Sequence, residues 1–352
     1  MTSATSGGDT RTVREAGESA VLAVLRGETV RGDGTGCAGG AAPAATPDGD
    51  LVGNGDDAAV LGPAAATVVT TDLLVEGTHF RLDLSGWEDV GRRAVVQNAS
   101  DVAAMGADCS RLLVGLCLPG GASMSDVARL AAGVHDEAAR HGAVVVGGDV
   151  TSGPQLVLAV TAIGVLGPGE HPVRLDGGRP GDVLALTGTP GCSAAGLELL
   201  LAGHPRGPLQ DAHRVPRLDP GAGPAARGAG ARALTDVTDG LLRDLSGLAR
   251  SSGCAAELDS AALEPAEELV AAARTLGARD PRATAADWVL DGGEDHGLLA
   301  AFPPGTTPPP GFRRIGVLTA PAPGVAPGAV SVDGAARTPG GWDSARGAAG
   351  AH

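Results

Sequence analysis

The sequence predicts an α+β protein of two domains, and three observations carry that prediction. The chain has 352 residues, beyond the usual size of a single domain. Strand-length runs of apolar or β-branched residues alternate with segments of helical spacing. A Pro/Gly-rich connection beginning at Gly167, GPGEHPVRLDGGRPGD, separates two such sets of elements.

Residues 1–50 read as an N-terminal tail, a short helix and a loop. The helix spans Val13 to Arg26 through the spacing of Val13, Ala16, Ala20 and Val24. The segment after it, GETVRGDGTGCAGGAAPAATPDGD, has no periodicity, so ordered structure is expected to begin near Leu51. Residues 51–166 form the first domain, with strands at Thr67–Thr71, Leu112–Leu118, Ala143–Val146 and Leu156–Ile163 and helices at Glu88–Met105 and Ser125–His141. Residues 167–345 form the second. Val183–Thr187 reads there as a strand, and Ser193–Leu201, Leu241–Arg250 and Pro265–Leu276 as helices, with Leu241, Leu242, Leu245 and Leu248 on one face. Prolines between Pro303 and Pro327 forbid a long element, and residues 346–352 are a tail.

Composition excludes several chemistries. The formal charge is 26 − 41 = −15, and all 26 basic residues are Arg, with no Lys and no Tyr in the chain. Without Lys there is no Schiff base, no pyridoxal phosphate anchor and no P-loop lysine. An acidic chain without segregated arginines also disfavours nucleic acid as a partner. Five Cys (Cys37, Cys109, Cys117, Cys192, Cys254) form no CxxC pair and no signal peptide precedes them, which predicts reduced thiols, no structural zinc and a cytoplasmic location. No apolar run approaches the length of a membrane span. The 57 Gly and the absence of Lys carry the mark of a GC-rich genome, so isolated glycine motifs count for little.

The aspartates carry more. They recur beside small residues in GDD (55–57), TTD (70–72), NASD (98–101), GGD (147–149) and DVTDG (236–240). Turns at strand ends would aim these short carboxylates outward from a rigid sheet. Asp is a hard oxygen donor, and several Asp with Ser or Thr hydroxyls suit Mg²⁺, which keeps waters and takes substrate phosphates as further ligands. Any one of them reads equally as a turn or helix-capping residue. As a set, such carboxylates would repel a polyphosphate unless metal ions intervened.

The same strings carry a family resemblance. GDDAAVL (55–61), TTDLLVEGTHF (70–80), NASDVAAMGA (98–107), VVGGDVTSG (145–153), RPGDVLALTGTPGCSAAGLELL (179–200), TDVTDGLLRDL (235–245), GGEDHGLL (292–299) and GGWDS (340–344) stand in the order and approximate spacing of the thiamine-monophosphate kinases. The likeness is greatest to the actinobacterial branch and spans most of the chain.

That resemblance implies the two-domain aminoimidazole ribonucleotide synthetase-like fold, in which N-terminal domains pair their sheets across a homodimer and ATP lies in the shared cleft. It implies Mg-ATP-dependent transfer of the γ-phosphoryl group onto thiamine monophosphate, the last step of thiamine diphosphate biosynthesis. Asp57, Asp72, Asp101 and Asp149 match the principal magnesium ligands, assisted by Thr70 and Thr71, and Asp236 and Asp239 match further metal contacts. Gly148, Asp149 and Thr238 match nucleotide contacts. His79, Glu294 and Trp342 match positions that hold thiamine monophosphate. The chemistry suits these roles: a Trp342 face would give a thiazolium cation about 1 kcal/mol of cation–π attraction, and Glu294 could bond an aminopyrimidine. The bland readings stand beside them, Trp342 covering a core edge and His79, after a strand, serving structure alone. No residue is assigned as a general base, because the acceptor phosphate is already mostly dianionic at neutral pH.

The chain departs from the family pattern in three places. Relatives read L-R-S-G where this chain has Val173-Arg174-Leu175-Asp176-Gly177, so the phosphate-contacting Arg is displaced by one residue and Arg174 is its replacement candidate. Cys192 stands where many members carry Asp, and Thr238 where Ser is usual. Rival readings are other ATP-dependent enzymes of the superfamily, of the hydrogenase-maturation or purine-synthesis type, and a non-catalytic acidic metal- or nucleotide-binding scaffold. A missing Gly-Thr-Lys element argues against purine synthesis, and the GAAGAH terminus, which lacks an acceptor Cys, argues against hydrogenase maturation.

Overall fold

A computed structural model describes residues 10–16, 18–25, 29–30, 37–38 and 66–341. The chain divides into two compact units, one made of Met1–Asn98 with Cys109–Gly164 and the other of Ala99–Asp108 with Val165–His352. Leu51, Asp57 and Trp342 lie outside the described residues, but the loop expected before Leu51 holds a short antiparallel strand pair, 29–30 with 37–38, whose backbone pairing needs no side-chain periodicity. Among the described residues no helix is long and apolar enough to cross a membrane.

The first unit opens with two short helices, α1 (Val13–Ala16) and α2 (Glu18–Leu25), and a small antiparallel pair, β1 (Thr29–Val30) with β2 (Cys37–Ala38). Then follow β3 (Ala66–Val75), α3 (Trp87–Ala104), whose residues from Ala99 on belong to the second unit, β4 (Asp108–Pro119), α4 (Met124–Arg140), β5 (Val144–Gly153) and β6 (Val157–Leu166). The last four strands form one sheet in the order β3-β6-β4-β5. β4 and β5 run parallel, because α4 lies between them and carries the chain back to the same end. α4 starts on a capping box, in which the Ser123 hydroxyl accepts from Asp126 N–H while the Asp126 carboxylate accepts from Ser123 N–H. Its buried face, Val127, Leu130, Ala131 and Val134, is the apolar stripe of an amphipathic helix.

Glycine sets how closely α3 and α4 approach. A Cβ on Gly91 of α3 would stand 2.3 Å from the Leu130 carbonyl oxygen of α4, and one on Gly133 of α4 would stand 2.1 Å from the Glu88 carbonyl oxygen of α3. Each helix has thus sunk a backbone into the space its neighbour's side chain would take. Beside this contact Glu137, buried on α4, accepts from Arg92 Nε at 3.0 Å and lies 3.4 Å from Arg140.

The second unit contains β7 (Val183–Leu186), α5 (Cys192–Leu201), α6 (Pro208–Arg214), α7 (Ala222–Gly228), β8 (Ala233–Val237), α8 (Leu241–Ser251) and β9 (Ala255–Leu258). A 3₁₀ turn at Ser260–Leu263 leads to α9 (Glu267–Thr275), α10 (Pro281–Asp291), β10 (Gly297–Phe302), β11 (Arg313–Thr319), β12 (Val330–Val332) and β13 (Ala335–Arg337). The sheet order is β13-β12-β9-β11-β7-β10-β8. VLAL of β7 and GLLAAF of β10 are buried along their whole length, as central strands covered on both faces must be. Leu241, Leu242, Leu245 and Leu248 of α8 enter the core with Leu186, Leu258, Leu299 and Ile315, which is the stripe read from their spacing.

The aspartates are where the structure departs from the sequence reading. Turns at strand ends are the expected setting, and DVTDG meets it, with Asp236 next to the end of β8 and Asp239 in the turn before α8, but Asp72 lies within β3, Asp149 within β5 and Asp101 within α3. The strands run through the acidic motifs because β-ladder pairing continues across them: Gly148 and Asp149 stand opposite Val114 and Gly115, and Asp236 opposite Leu298. A register shift facing Leu112 and Leu113 precedes the GGD motif, so its facing is set by a bulge rather than by a turn.

The α3–α4 contact yields a test. Gly133→Ala should overpack this contact and lower stability by about 1–3 kcal/mol, read as a lower urea midpoint with an unchanged slope. Serine at the exposed, contact-free Gly142→Ser is unsuitable as a control because its φ is +68°; Gly121→Ala, with nothing near its Cβ, should leave the midpoint in place.

Candidate functional site

In the second unit the DVTDG motif leaves the sheet at the end of β8 and enters α8 through Gly240, whose φ is +124°. Gly240 is required on two counts, since a Cβ there would also stand 2.8 Å from the Asp291 carbonyl oxygen. The turn is held by Asp244 in the first turn of α8. Its carboxylate accepts from the N–H groups of Thr238, Asp239 and Gly240 at 2.9, 3.0 and 3.2 Å. Burial, with the Asp239 charge behind it, pushes the Asp244 carboxyl up to about 7 despite these three bonds.

The GGEDHG loop packs against this turn. Glu294 and His296 both take left-handed backbone, at φ 67° and 53°, a conformation that costs side-chain-bearing residues of order 1 kcal/mol or more each. The surroundings impose it. Glu294 N–H donates to the Thr238 carbonyl at 2.7 Å and His296 N–H to that of Val237 at 2.9 Å. Between them the Asp295 carboxylate accepts from Gly191 and Ser193 N–H, at 2.6 and 2.9 Å, at the start of α5. Burial pushes the Asp295 carboxyl up to about 7.

These two segments and the end of α3 share a buried polar cluster. The Ser100 hydroxyl donates to Asp236 Oδ2 at 2.7 Å and lies 3.0 Å from His296 Nδ1. His296 Nε2 lies 3.3 Å from Glu294 Oε2. Ser100, Asp236 and His296 are all buried. Burial raises the Asp236 carboxyl, and the next largest cause is the charge of Asp101. Asp101 and Asp236 are therefore close enough to repel, which is the electrostatic demand that a bound cation would meet. Asp239 lies 3.5 Å from Arg243 Nε. Arg174 is exposed and donates to Asp176 at 2.6 Å.

In the first unit, Thr70 and Asp72 share a face of β3 with buried Leu74, whereas Thr71 points with Val69 and Leu73 to the other. The Thr71 hydroxyl donates to the Val160 carbonyl at 3.0 Å and accepts from Thr161 at 3.1 Å, so it is engaged with β6. Asp72 N–H donates to buried Asn98 Oδ1 at 3.1 Å, and Asn98 Nδ2 donates to the Ala94 carbonyl, which ties β3 to α3. Asp149 is exposed on β5 and its neighbour Gly148 admits no side chain, since a Cβ would stand 2.0 Å from the Val114 carbonyl oxygen. β3 and β5 are the two edges of the sheet. His79 accepts the Val75 N–H at Nδ1, 3.0 Å away, closing the turn after β3.

The structure thus joins Asp101, Asp236, Thr238 and Glu294 within one unit and sets Thr70, Asp72, Gly148 and Asp149 on one sheet of the other. Among the described residues no three His, Cys, Asp or Glu side chains are grouped to hold a metal ion by themselves. Sequence reasoning missed Ser100, Asp244, Asp295 and His296. Ser100 and His296 sit inside quoted motifs, and Asp244 lies three residues into a helix that follows DG, where a carboxylate is favoured.

Comparison with known proteins places these features in a family context. Residues 55–166 match the family model of the AIR synthase related protein N-terminal domain, and residues 179–300 that of the C-terminal domain. The chain is similar to the thiamine-monophosphate kinase of Corynebacterium glutamicum, with 46% identity over 279 residues, covering 76% of this chain and 81% of that protein. It is 45% identical to the Mycobacterium tuberculosis enzyme of the same name over 275 residues, covering 77% and 80%. Among solved structures it resembles AaThiL complexed with AMPPCP and TMP, at 32% identity and TM-score 0.69, covering 78% of this chain and 86% of that one. The thiamine monophosphate kinase of Aquifex aeolicus matches at 31% identity and TM-score 0.70, covering 79% and 90%.

Removing the Asp244 carboxylate tests how this turn is held. Asp244→Ala leaves three N–H groups without their acceptor and should cost about 1–3 kcal/mol. Hydrogen exchange should accelerate first at Thr238, Asp239 and Gly240, ahead of the α8 amides.

Proposed function

The chain belongs to the thiamine-monophosphate kinase family, and from that membership we propose that it transfers the γ-phosphoryl group of ATP directly onto the phosphate of thiamine monophosphate, giving thiamine diphosphate and ADP. The observation that carries this reading is its likeness, in sequence and fold together, to a kinase solved with both AMPPCP, an ATP analogue, and TMP. The arrangement of the acidic motifs supports it.

Residue roles follow the motifs. Asp57, Asp72, Asp101, Asp149, Asp236 and Asp239, with Thr70, form the magnesium-holding set; Thr71, expected to join them, faces the other side of β3 and bonds β6 instead. Gly148, Asp149, Arg174 and Thr238 attend the nucleotide, and His79, Glu294 and Trp342 the thiamine monophosphate. The residues fit Mg²⁺ in chemistry: the donors are hard oxygens, and a cation between Asp101 and buried Asp236 would relieve the repulsion of their carboxylates. When bound, the ion neutralises phosphate charge as the two anions approach. Asp72, Asp101, Asp149 and Asp236 would supply carboxylate oxygens to such an ion, leaving room for substrate phosphate.

The chain's own residues then act by holding and orienting. Gly148 lets β5 pack against the Val114 backbone of β4 where a side chain would not fit, and so sets the place of the neighbouring Asp149 carboxylate. The loop that presents Glu294 is fixed by Thr238, Val237 and Asp295, so its carboxylate is set in place before substrate arrives. No residue need take a proton from the acceptor, whose phosphate, with a second pKa of about 6, is mostly dianionic at neutral pH.

The active form is a homodimer. Among the described residues Val69 and Leu73, 64% and 56% exposed on the outer face of β3, are two of the large apolar side chains left open to solvent, and a second copy of the same sheet is the occupant that would cover them. A reducing, cytoplasmic setting agrees with the unpaired thiols of Cys109, Cys117, Cys192 and Cys254. Burial pushes the Cys109 thiol up to about 12, and Cys192 upward for the same reason, so neither is a nucleophile.

Turnover decides the reading. Incubation with Mg-ATP and thiamine monophosphate should give thiamine diphosphate, and thiamine itself should give none; product from thiamine alone would point to a different kinase. Asp101→Asn should lower kcat at least about a hundredfold at an unchanged melting temperature, and normal kcat would remove Asp101 from the machinery. Leu73→Asp should convert a dimer to a monomer by light scattering; a wild-type monomer at working concentration would refute the pairing.

A further inference from the structure

We infer that His296 is a positioning residue for substrate, an imidazole strap that holds the Glu294 carboxylate in a fixed place relative to Asp236. This inference rests on the reading that Glu294 binds thiamine monophosphate.

The geometry supplies the argument. His296 uses both ring nitrogens. Nδ1 faces the Ser100 hydroxyl at 3.0 Å, the same hydroxyl that donates to Asp236 Oδ2 at 2.7 Å, and Nε2 faces Glu294 Oε2 at 3.3 Å. The ring is 1% exposed, so its contacts are made with protein rather than water. Glu294 lies only partly covered, its side chain 25% exposed, as a group that meets a ligand must be. The route Asp236–Ser100–His296–Glu294 therefore runs from a buried carboxylate to an accessible one.

The backbone has been shaped to make this route. Two residues apart, Glu294 and His296 both adopt left-handed φ; the His296 ring meets Ser100 on one side and Glu294 on the other, while the Asp295 carboxylate turns to α5. Strain of this kind persists where the surroundings over-determine it. A histidine that merely filled space would need neither the φ nor a polar partner at each nitrogen. Phe or Leu would fill the same volume while leaving Ser100 and Glu294 without this contact.

A positioning residue and a structural one differ in what their loss does to kinetics. In steady-state assays varying each substrate in turn, His296→Phe should raise KM for thiamine monophosphate about tenfold and leave KM for ATP within about twofold. His296→Gln, which keeps one polar reach, should recover most of the difference. Ser100→Ala, which releases the ring from its far side, should show the same split. Calorimetric binding of thiamine monophosphate without nucleotide or metal gives a readout apart from turnover and should weaken in parallel in His296→Phe. An unchanged KM for thiamine monophosphate in folded His296→Phe, or an equal rise in both KM values, overturns the inference. If His296→Phe does not fold, His296→Gln and Ser100→Ala decide by the same split. Wild-type protein that makes no thiamine diphosphate overturns the functional reading itself, a result distinct from any of these.

Discussion

Asp236 keeps its carboxylate out of water, and the geometry of the second unit follows from that. A buried acid must be bonded, paired or protonated, and here it meets the Ser100 hydroxyl at 2.7 Å while Asp101 adds a second negative charge nearby. Ser100 comes from α3, Asp236 from β8 and His296 from the loop before β10. Three segments far apart in sequence are thereby held to one point. The carboxylates of Asp244 and Asp295 serve the same end, since each gathers backbone N–H groups and so fixes the segments that carry Thr238, Asp239 and Glu294. Acidic side chains here are the scaffold of turns as well as members of the proposed magnesium set.

Much of the fold was legible because its elements obey simple periodicities. The α8 stripe of Leu241, Leu242, Leu245 and Leu248 could be read from spacing and is buried as read. Strands with unbroken apolar composition, such as Leu112–Leu118, were visible for the same reason. β8 was not, because ALTDV ends in the polar residues that a turn would also use; its pairing with β10, which contributes Leu298 opposite Asp236, decides the matter. β10 and α10 lie among Ala and Gly, where neither propensity nor alternation speaks clearly.

The chemistry was legible at the level of motifs and less so at the level of contacts. Acidic strings named the residues of interest, but alternation along β3 turns Thr71 away from Thr70 and Asp72, a fact that follows only once the strand is known to continue through them. His296 illustrates the opposite case. Its place in GGEDHG was plain, yet nothing in the string says that a left-handed backbone carries its ring to Ser100, a residue almost two hundred positions earlier. Such pairings depend on tertiary structure and leave no local trace.

The sheet order of the second unit has a temporal meaning. β7 occupies an interior position, but its partners are β10 and β11, with Leu186 opposite Leu299 and Arg313. A ribosome adding about 5–20 residues per second leaves β7 without either neighbour for on the order of ten seconds. During that interval VLAL presents unpaired backbone N–H and C=O groups on both edges and apolar side chains on its faces. Folding of this unit is therefore largely postponed until synthesis nears its end, and the newborn chain's exposure to chaperones is written into the strand order rather than into any one residue.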